Sequence, residues 1–219
     1  MKILFEDKNI VICQKGTAEL CEISQSKPSL ANDVQNAFGY AGVIHRLDMN
    51  VGGAVLYAKN KEAASKFSRL VAENALVKEY LAVVHGRPKE DRGTFCDFLF
   101  KDSSKNKVFV VKRMRKGVKE ASLSYELLET ATTDTGELSL VKIKLHTGRS
   151  HQIRVQFSSR KMPLAGDGKY GSKDNKCTIS LWSHSLSFFQ PFSGENISIK
   201  SFPNKSAYPW CLFDFMKNE

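Results

Sequence analysis

No stretch of this chain stays apolar for long. Hydrophobic residues fill 42% of its 219 positions, yet they come in short runs, none of which approaches the length needed to span a bilayer. The opening Met1-Lys2-Ile3-Leu4-Phe5-Glu6-Asp7 also lacks the apolar core of a signal peptide. Cysteine is sparse: Cys13, Cys21, Cys96, Cys177 and Cys211 are odd in number, and no two stand close enough for a CxxC pair. That pattern excludes a disulfide frame or a zinc site and fits reduced thiols in a cytoplasmic protein. Internal repeats and low-complexity tracts are missing as well. Acidic residues are the minority charge, 23 against 33 Lys and Arg, for a net +10. An excess of that size favours a polyanionic partner, RNA, DNA or an anionic membrane, and with its clustering it favours nucleic acid over a generically basic soluble protein. With 26% charged residues wholesale disorder is excluded. The length suits one sizeable core, or one domain with two lobes.

The chain is organised around Gly42-Val43-Ile44-His45-Arg46-Leu47-Asp48-Met49-Asn50-Val51-Gly52-Gly53. Charged residues between apolar runs and glycines suggest a loop emerging from a core. In this reading Asp48 is the reactive group, and Arg46 and His45 handle a polyanionic substrate. The plain alternative is a solvated loop aspartate paired with its neighbouring arginine.

The remaining pattern alternates strands with a few helices. Ile3–Phe5 and Ile10–Ile12 read as strands around a polar turn, and Lys15–Lys27 as loop. Leu30–Phe38 predicts a helix capped by Ser29, with Leu30, Val34 and Phe38 on one face. Asn60 caps a second helix whose apolar stripe runs through Ala63, Ala64, Phe67, Leu70 and Val71. The run from Lys78 to Gly86 is apolar on both alternating sets beyond Glu79, which predicts a strand covered on both faces. Lys78 and Tyr80 share one of those faces. Thr94–Phe100, Ala121–Thr130, Leu138–Leu145, Ile179–Phe189 and Ile197–Phe202 are further strands, and Tyr208–Met216 is an aromatic-rich terminal helix. This predicts an α+β fold with a mixed, mostly antiparallel sheet and helices packed on it.

Two segments carry further chemistry. From Lys101 to Lys119 the chain holds Lys101, Lys105, Lys107, Lys112, Arg113, Arg115, Lys116 and Lys119 against Asp102 alone before Glu120. With Val108–Val111 inside it, this reads as a basic hairpin able to meet phosphates, contacts that position a nucleic acid without reading its sequence. Further on, Thr147-Gly148-Arg149 opens a short helix. Ile153 and Phe157 can face the core while His151 and Arg154 share another edge. The alternative for Arg154 is a structural arginine capping a core carboxylate.

Five stretches, in order, resemble the RluA-type pseudouridine synthases. These are His45-Arg46-Leu47-Asp48; Lys78-Glu79-Tyr80-Leu81-Ala82-Val83-Val84-His85-Gly86; and Thr147-Gly148-Arg149-Ser150-His151-Gln152-Ile153-Arg154-Val155. The last two are Pro163-Leu164-Ala165-Gly166-Asp167 with Tyr170-Gly171, and Trp182-Ser183-His184-Ser185-Leu186 with Pro191 and Gly194-Glu195. The resemblance covers nearly the whole chain. It implies one catalytic domain over residues 1–219, two-lobed, with no separate N-terminal S4-type RNA-binding domain. It implies isomerisation of uridine in a ribosomal or transfer RNA stem-loop without metal or cofactor; a monomer is the default expectation. Asp48, Tyr80 and Arg154 become the catalytic group: a carboxylate, a tyrosine stacked on the base, and a cation that keeps the carboxylate ionised. His45, Arg46, Arg149, His151 and Gln152 become substrate-binding residues. Whether Asp48 attacks sugar or ring, or acts as a base at C2′, stays open. A stacked target base has to be flipped out first, and Arg46 is placed to enter the space or clamp the backbone.

The family usually carries Thr-Ser-Gly soon after the aspartate, where this chain has Val51-Gly52-Gly53; it often has Lys-Pro-x-Gly where this chain has Gln14-Lys15-Gly16-Thr17. Both departures bear on loop positioning more than on the aspartate. The Val51-Gly52-Gly53 departure leaves room for a rival, a catalytically impaired RNA-binding or RNA-chaperone protein. A nuclease or phosphotransferase is excluded by the absence of a P-loop, a kinase glycine loop with DFG, or a metal-carboxylate cluster.

Overall fold

A computed structural model describes residues 1–134 and 136–215. In chain order its elements are β1 (Lys2–Glu6), β2 (Ile10–Lys15), α1 (Leu30–Phe38), β3 (Gly42–Val43), β4 (Gly52–Ala58) and α2 (Lys61–Ala72). There follow β5 (Val77–His85), β6 (Arg92–Asp102), β7 (Lys107–Val111), β8 (Val118–Thr133) and β9 (Gly136–Leu145). The last are α3 (Gln152–Ser159), β10 (Leu181–Phe189) and β11 (Asn196–Lys200). These residues gather into two compact units, Met1–Glu79 with Trp182–Pro203, and Tyr80–Leu181 with the described residues from Asn204 on. The α+β class and the mixed, mostly antiparallel pairing agree with the sequence reading.

The first unit is a sheet with a helix on each face. Its strands run in the order β1-β2-β4-β10, with β3 also on β4 and β11 on β10. Side chains alternate along a strand, and the two cores follow that alternation. Ile10, Ile12, Ala54, Leu56 and Ala58 pack with Ala63 and Phe67 of α2. Val11, Cys13, Val55 and Tyr57 pack on the other side with Leu30, Ala31 and Val34 of α1. Complete burial of a side chain such as Phe67 is worth about 1.5–3 kcal/mol. Both helices start where their caps predict: Ser29 Oγ accepts from Asn32 N–H at 3.2 Å and Asn60 Oδ1 from Ala63 N–H at 2.8 Å. Gly39, at φ 75°, closes α1 by donating its N–H to the Gln35 carbonyl at 2.8 Å. A positive φ of this kind favours glycine over any residue with a Cβ.

The second unit carries strands in the order β5-β9-β8-β6-β7. From Tyr80 to Val84, β5 is buried without interruption, as a strand covered on both faces demands. The basic hairpin forms, with β7 pairing β6 from Phe98↔Val111 to Asp102↔Lys107. α3 packs against β6 and β7, burying Val155 with Leu99, Val108, Ala121 and Tyr170. Phe157 packs with Phe95 and Tyr125, ring centroids 5.1 and 5.9 Å away.

Three local readings change. α3 starts at Gln152, so His151 lies outside it as a left-handed cap at φ 49°. Gln152 through Phe157 are all buried, because strands and loops enclose so short a helix instead of covering one stripe. Of the expected terminal aromatic helix, Trp210–Leu212 forms a 3-10 turn ahead of extended Phe213; its expected end at Met216 falls outside the described residues. Lys15, read as loop, ends β2 and is fully buried. Among the described residues no helix is long and apolar enough to cross a membrane.

Candidate active site

Asp48 lies half-buried on the loop between β3 and β4. The loop has little secondary structure of its own, so its shape depends on what reaches it from elsewhere in the first unit. The Asp48 carbonyl accepts from Val51 N–H at 2.9 Å, closing a turn. Beneath that turn stands Lys15, whose ammonium donates to the carbonyls of Met49 at 2.9 Å and Gly16 at 2.7 Å. Burial lowers the Lys15 pKa, while Cys21, Glu19 and Asp48 pull it back up. A buried ammonium is costly unless acceptors surround it, so the Met49 carbonyl of the loop and the lysine fix one another. Cys21 braces the other side, its Sγ accepting from Leu47 N–H at 3.2 Å. Its thiol is pushed up by burial, which suits a structural contact and opposes reactivity.

The two residues before Leu47 separate. Arg46 is exposed and pairs with the Glu22 carboxylate, a surface pair of the weak kind. His45 turns inward: its Nε2 accepts from Leu56 N–H at 3.2 Å, which puts the ring proton on Nδ1, a buried atom with no hydrogen-bond partner. Burial, with Lys78 adding repulsion, lowers its pKa to about 3. This ring, bonded to the β4 backbone, anchors the loop.

Two glycines follow on β4, where β10 pairs in parallel through Trp182↔Gly52 and Ser183↔Gly53. A Cβ on Gly52 would overlap the Trp182 ring, and one on Gly53 would overlap the Ser183 backbone. Gly53 also has φ 119°. The missing hydroxyl at position 52 is therefore the space that Trp182 fills.

In the second unit, Tyr80 is 6% exposed near the start of β5. Arg154, on α3, is 6% exposed and forked onto Asp167: Nε donates to Oδ2 at 2.7 Å and Nη2 to Oδ1 at 2.8 Å. Asp167 is 1% exposed. This bidentate pair locks the plane and direction of the guanidinium. Arg154 thus does hold a core carboxylate, as its structural alternative foresaw, and its orientation follows from that bond. Tyr170 packs on it, its ring centroid 5.0 Å from the guanidinium carbon. The Tyr170 hydroxyl accepts from Val108 N–H at 2.8 Å and lies 2.9 Å from His151 Nδ1, tying the basic hairpin to the cap of α3.

Gln152 is 3% exposed. Its Oε1 accepts from Thr147 Oγ1 at 2.8 Å and Arg149 N–H at 3.0 Å, and its Nε2 donates to the Ser122 carbonyl at 3.0 Å. A side-chain amide so used shapes the Thr147–Arg149 turn. Arg149 stays exposed with Nε on the Glu120 carbonyl at 2.8 Å, open to a phosphate on its outer side.

Sequence reasoning missed Lys15, Asp167 and Tyr170. Asp167 and Tyr170 stood in a quoted motif, but nothing in the sequence announces which arginine a distant aspartate will hold. Lys15 stood in the stretch set against the family's Lys-Pro-x-Gly turn, but a lysine after a strand does not announce which carbonyls it will reach.

A sequence pattern described as RNA pseudouridylate synthase matches residues 9–159. An RNA pseudouridine synthase of Aquifex aeolicus (strain VF5) is 31% identical over 235 residues, covering 96% of this chain and 72% of its own length. The dual-specificity RNA pseudouridine synthase RluA of Escherichia coli (strain K12) is 29% identical over 210 residues and 91% of each chain. Among solved structures, human RNA Pseudouridylate Synthase Domain Containing 1 superposes with a TM-score of 0.79 at 23% identity, over 95% of this chain and 85% of its own. At that identity the likeness is one of fold.

Proposed function

Since the chain belongs to the RluA family of RNA pseudouridine synthases, we propose that it isomerises uridine to pseudouridine in a structured RNA with Asp48 as its catalytic carboxylate. The reaction breaks the N1–C1′ bond, turns uracil in place and joins C5 to C1′; C5 gives up its proton and N1 ends with one. The observation that carries the reading is the lysine-braced Asp48 loop. A half-buried carboxylate is held on a turn whose Met49 carbonyl is pinned by Lys15, the preorganisation a reacting group needs.

Each remaining residue has a role that its chemistry supports. Tyr80 offers a ring for the uracil to stack on. Arg154, its guanidinium held in one direction by Asp167, is the cation of the proposed catalytic group. Arg46 leaves Glu22 for the RNA backbone or the space of the flipped nucleotide. His151 and Arg149, at the head of α3, meet the strand beside the target, and the hairpin lysines and arginines supply phosphate contacts. The substrate class is ribosomal or transfer RNA, in a loop or stem-loop where bases are accessible. Relatives named for a dual-specificity enzyme and for a ribosomal large subunit synthase support keeping both. We also propose that the protein acts as a cytoplasmic monomer.

The test is tritium release from RNA labelled at uridine C5. Asp48→Asn lowers release by roughly 10³-fold or more while RNA affinity holds; a folded variant that still turns over removes Asp48 from its role. Arg154→Ala lowers turnover more than binding, whereas equal losses would make it a phosphate contact. Mapping pseudouridine in total RNA from cells with and without the gene then names the site.

A further inference from the structure

Two cavities of the second unit share Ser158, Tyr170 and Gly171 as a common wall. The larger, about 690 Å³, has Lys161, Lys173 and Lys176 around it; the smaller, about 430 Å³, has Lys107 and Lys169. Asp174 is the one carboxylate lining either, and it is already engaged. Its Oδ2 accepts from the Tyr208 hydroxyl at 2.9 Å and its Oδ1 from Lys176 N–H at 2.9 Å. Among the described residues none of these five lysines makes an ion pair with a carboxylate. Unneutralised ammonium groups around a concave surface concentrate a positive field there, more than scattered surface lysines do.

The ends of this surface are also informative. At one end Phe109, on the edge strand β7, is 38% exposed, a large apolar ring offered to solvent where a base can stack. In the middle stands Tyr170, whose ring lies against Arg154. The groove therefore backs onto a residue that the proposed reaction uses.

We propose that this groove binds a single-stranded segment of the substrate RNA flanking the target uridine, with backbone phosphates on Lys161, Lys173 and Lys176 and a base on Phe109. The inference rests on the reading of RNA as substrate and adds where that RNA runs. Binding to single strands without base readout combines a cationic groove with an aromatic platform, and both are present.

The probe is a labelled oligouridylate of roughly 20 nucleotides, longer than a single-strand groove of this kind needs, titrated over a range of KCl. The variant Lys161→Gln/Lys173→Gln/Lys176→Gln is compared with Lys2→Gln/Lys8→Gln/Lys27→Gln, which removes the same charge from exposed positions of the first unit. The groove variant shows a salt slope shallower by about 2, at ~0.7 per lost phosphate contact, and the control keeps the wild-type slope. Equal slopes in the two variants, or a wild-type slope in the groove variant, overturn the proposal. Phe109→Ala weakens the single strand and leaves an RNA duplex unaffected; an equal loss on both overturns the single-strand assignment. In tritium release the groove variant keeps kcat and raises KM. A wild-type protein that releases no tritium refutes the synthase reading itself, a failure separate from any outcome of the slope comparison.

Discussion

Asp48 and His45 stand three positions apart and meet opposite environments, one on a half-exposed turn and the other folded against the β4 backbone. The second placement has a thermodynamic consequence. His45 is neutral in the folded protein, its pKa lowered to about 3 by burial, while in the unfolded chain it titrates near 6.5. Between those values the unfolded state binds the extra proton, so stability is complete above about pH 6.5 and lost as pH falls towards 3. The slope contributed approaches about 1.4 kcal/mol per pH unit. Urea unfolding between pH 7 and pH 5 measures it, and His45→Gln flattens it; an unchanged slope in that variant would put the acid sensitivity elsewhere. Asp167 supplies a second prediction. Asp167→Ala strands the Arg154 guanidinium in a buried site, a change that costs about 3–5 kcal/mol, read as a fall in the denaturation midpoint accompanied by lost turnover. Arg154 and Asp167 were both visible as residues, but their pairing across a turn of α3 and a following loop was not. Hydrogen bonds of this kind depend on where two chain segments arrive, which local pattern does not encode.

At the scale of elements the sequence was most legible where a cap and a period agreed. Ser29 and Asn60 start α1 and α2 where their side chains can reach the third residue on, and the alternating burial of β2 and β4 serves two cores at once. It was least legible where an element is short. In α3, Gln152 to Phe157 are buried on every side, so helical spacing could not separate an inward from an outward face. The strand pair β4–β10 explains the departure at Gly52 and yields a prediction of its own. Gly52→Ser drives a Cβ into the Trp182 ring, an overpacking worth about 1–3 kcal/mol. Trp182→Leu removes the ring and with it a hydrogen bond from Nε1 to Ser201 Oγ at 3.2 Å, so it is destabilising alone. Together the two changes should be less damaging than their sum, with a coupling of roughly 0.5–3 kcal/mol in thermal or urea unfolding. Additive losses would mean that Gly52 is required for its backbone and that the ring is incidental.

For the whole molecule, the net charge of +10 sets how it meets RNA before any base is read. Affinity for bulk RNA should fall linearly with the logarithm of salt, by about 0.7 per phosphate contacted on single strands; a salt-independent affinity would deny the charge its role. What the sequence determined by itself was the chemistry and the set of elements. The ordered motifs, the caps, the two-sided strand and the basic hairpin are local, and a linear pattern carries local information intact. Tertiary structure alone decided which of the motif's residues are spent on the fold. His45 and Gln152 went to backbone partners, Arg154 was aimed by Asp167, and Lys15 became the support beneath Asp48. The physical reason is that a buried polar group must find a partner, and the partner is whichever group the folded chain delivers.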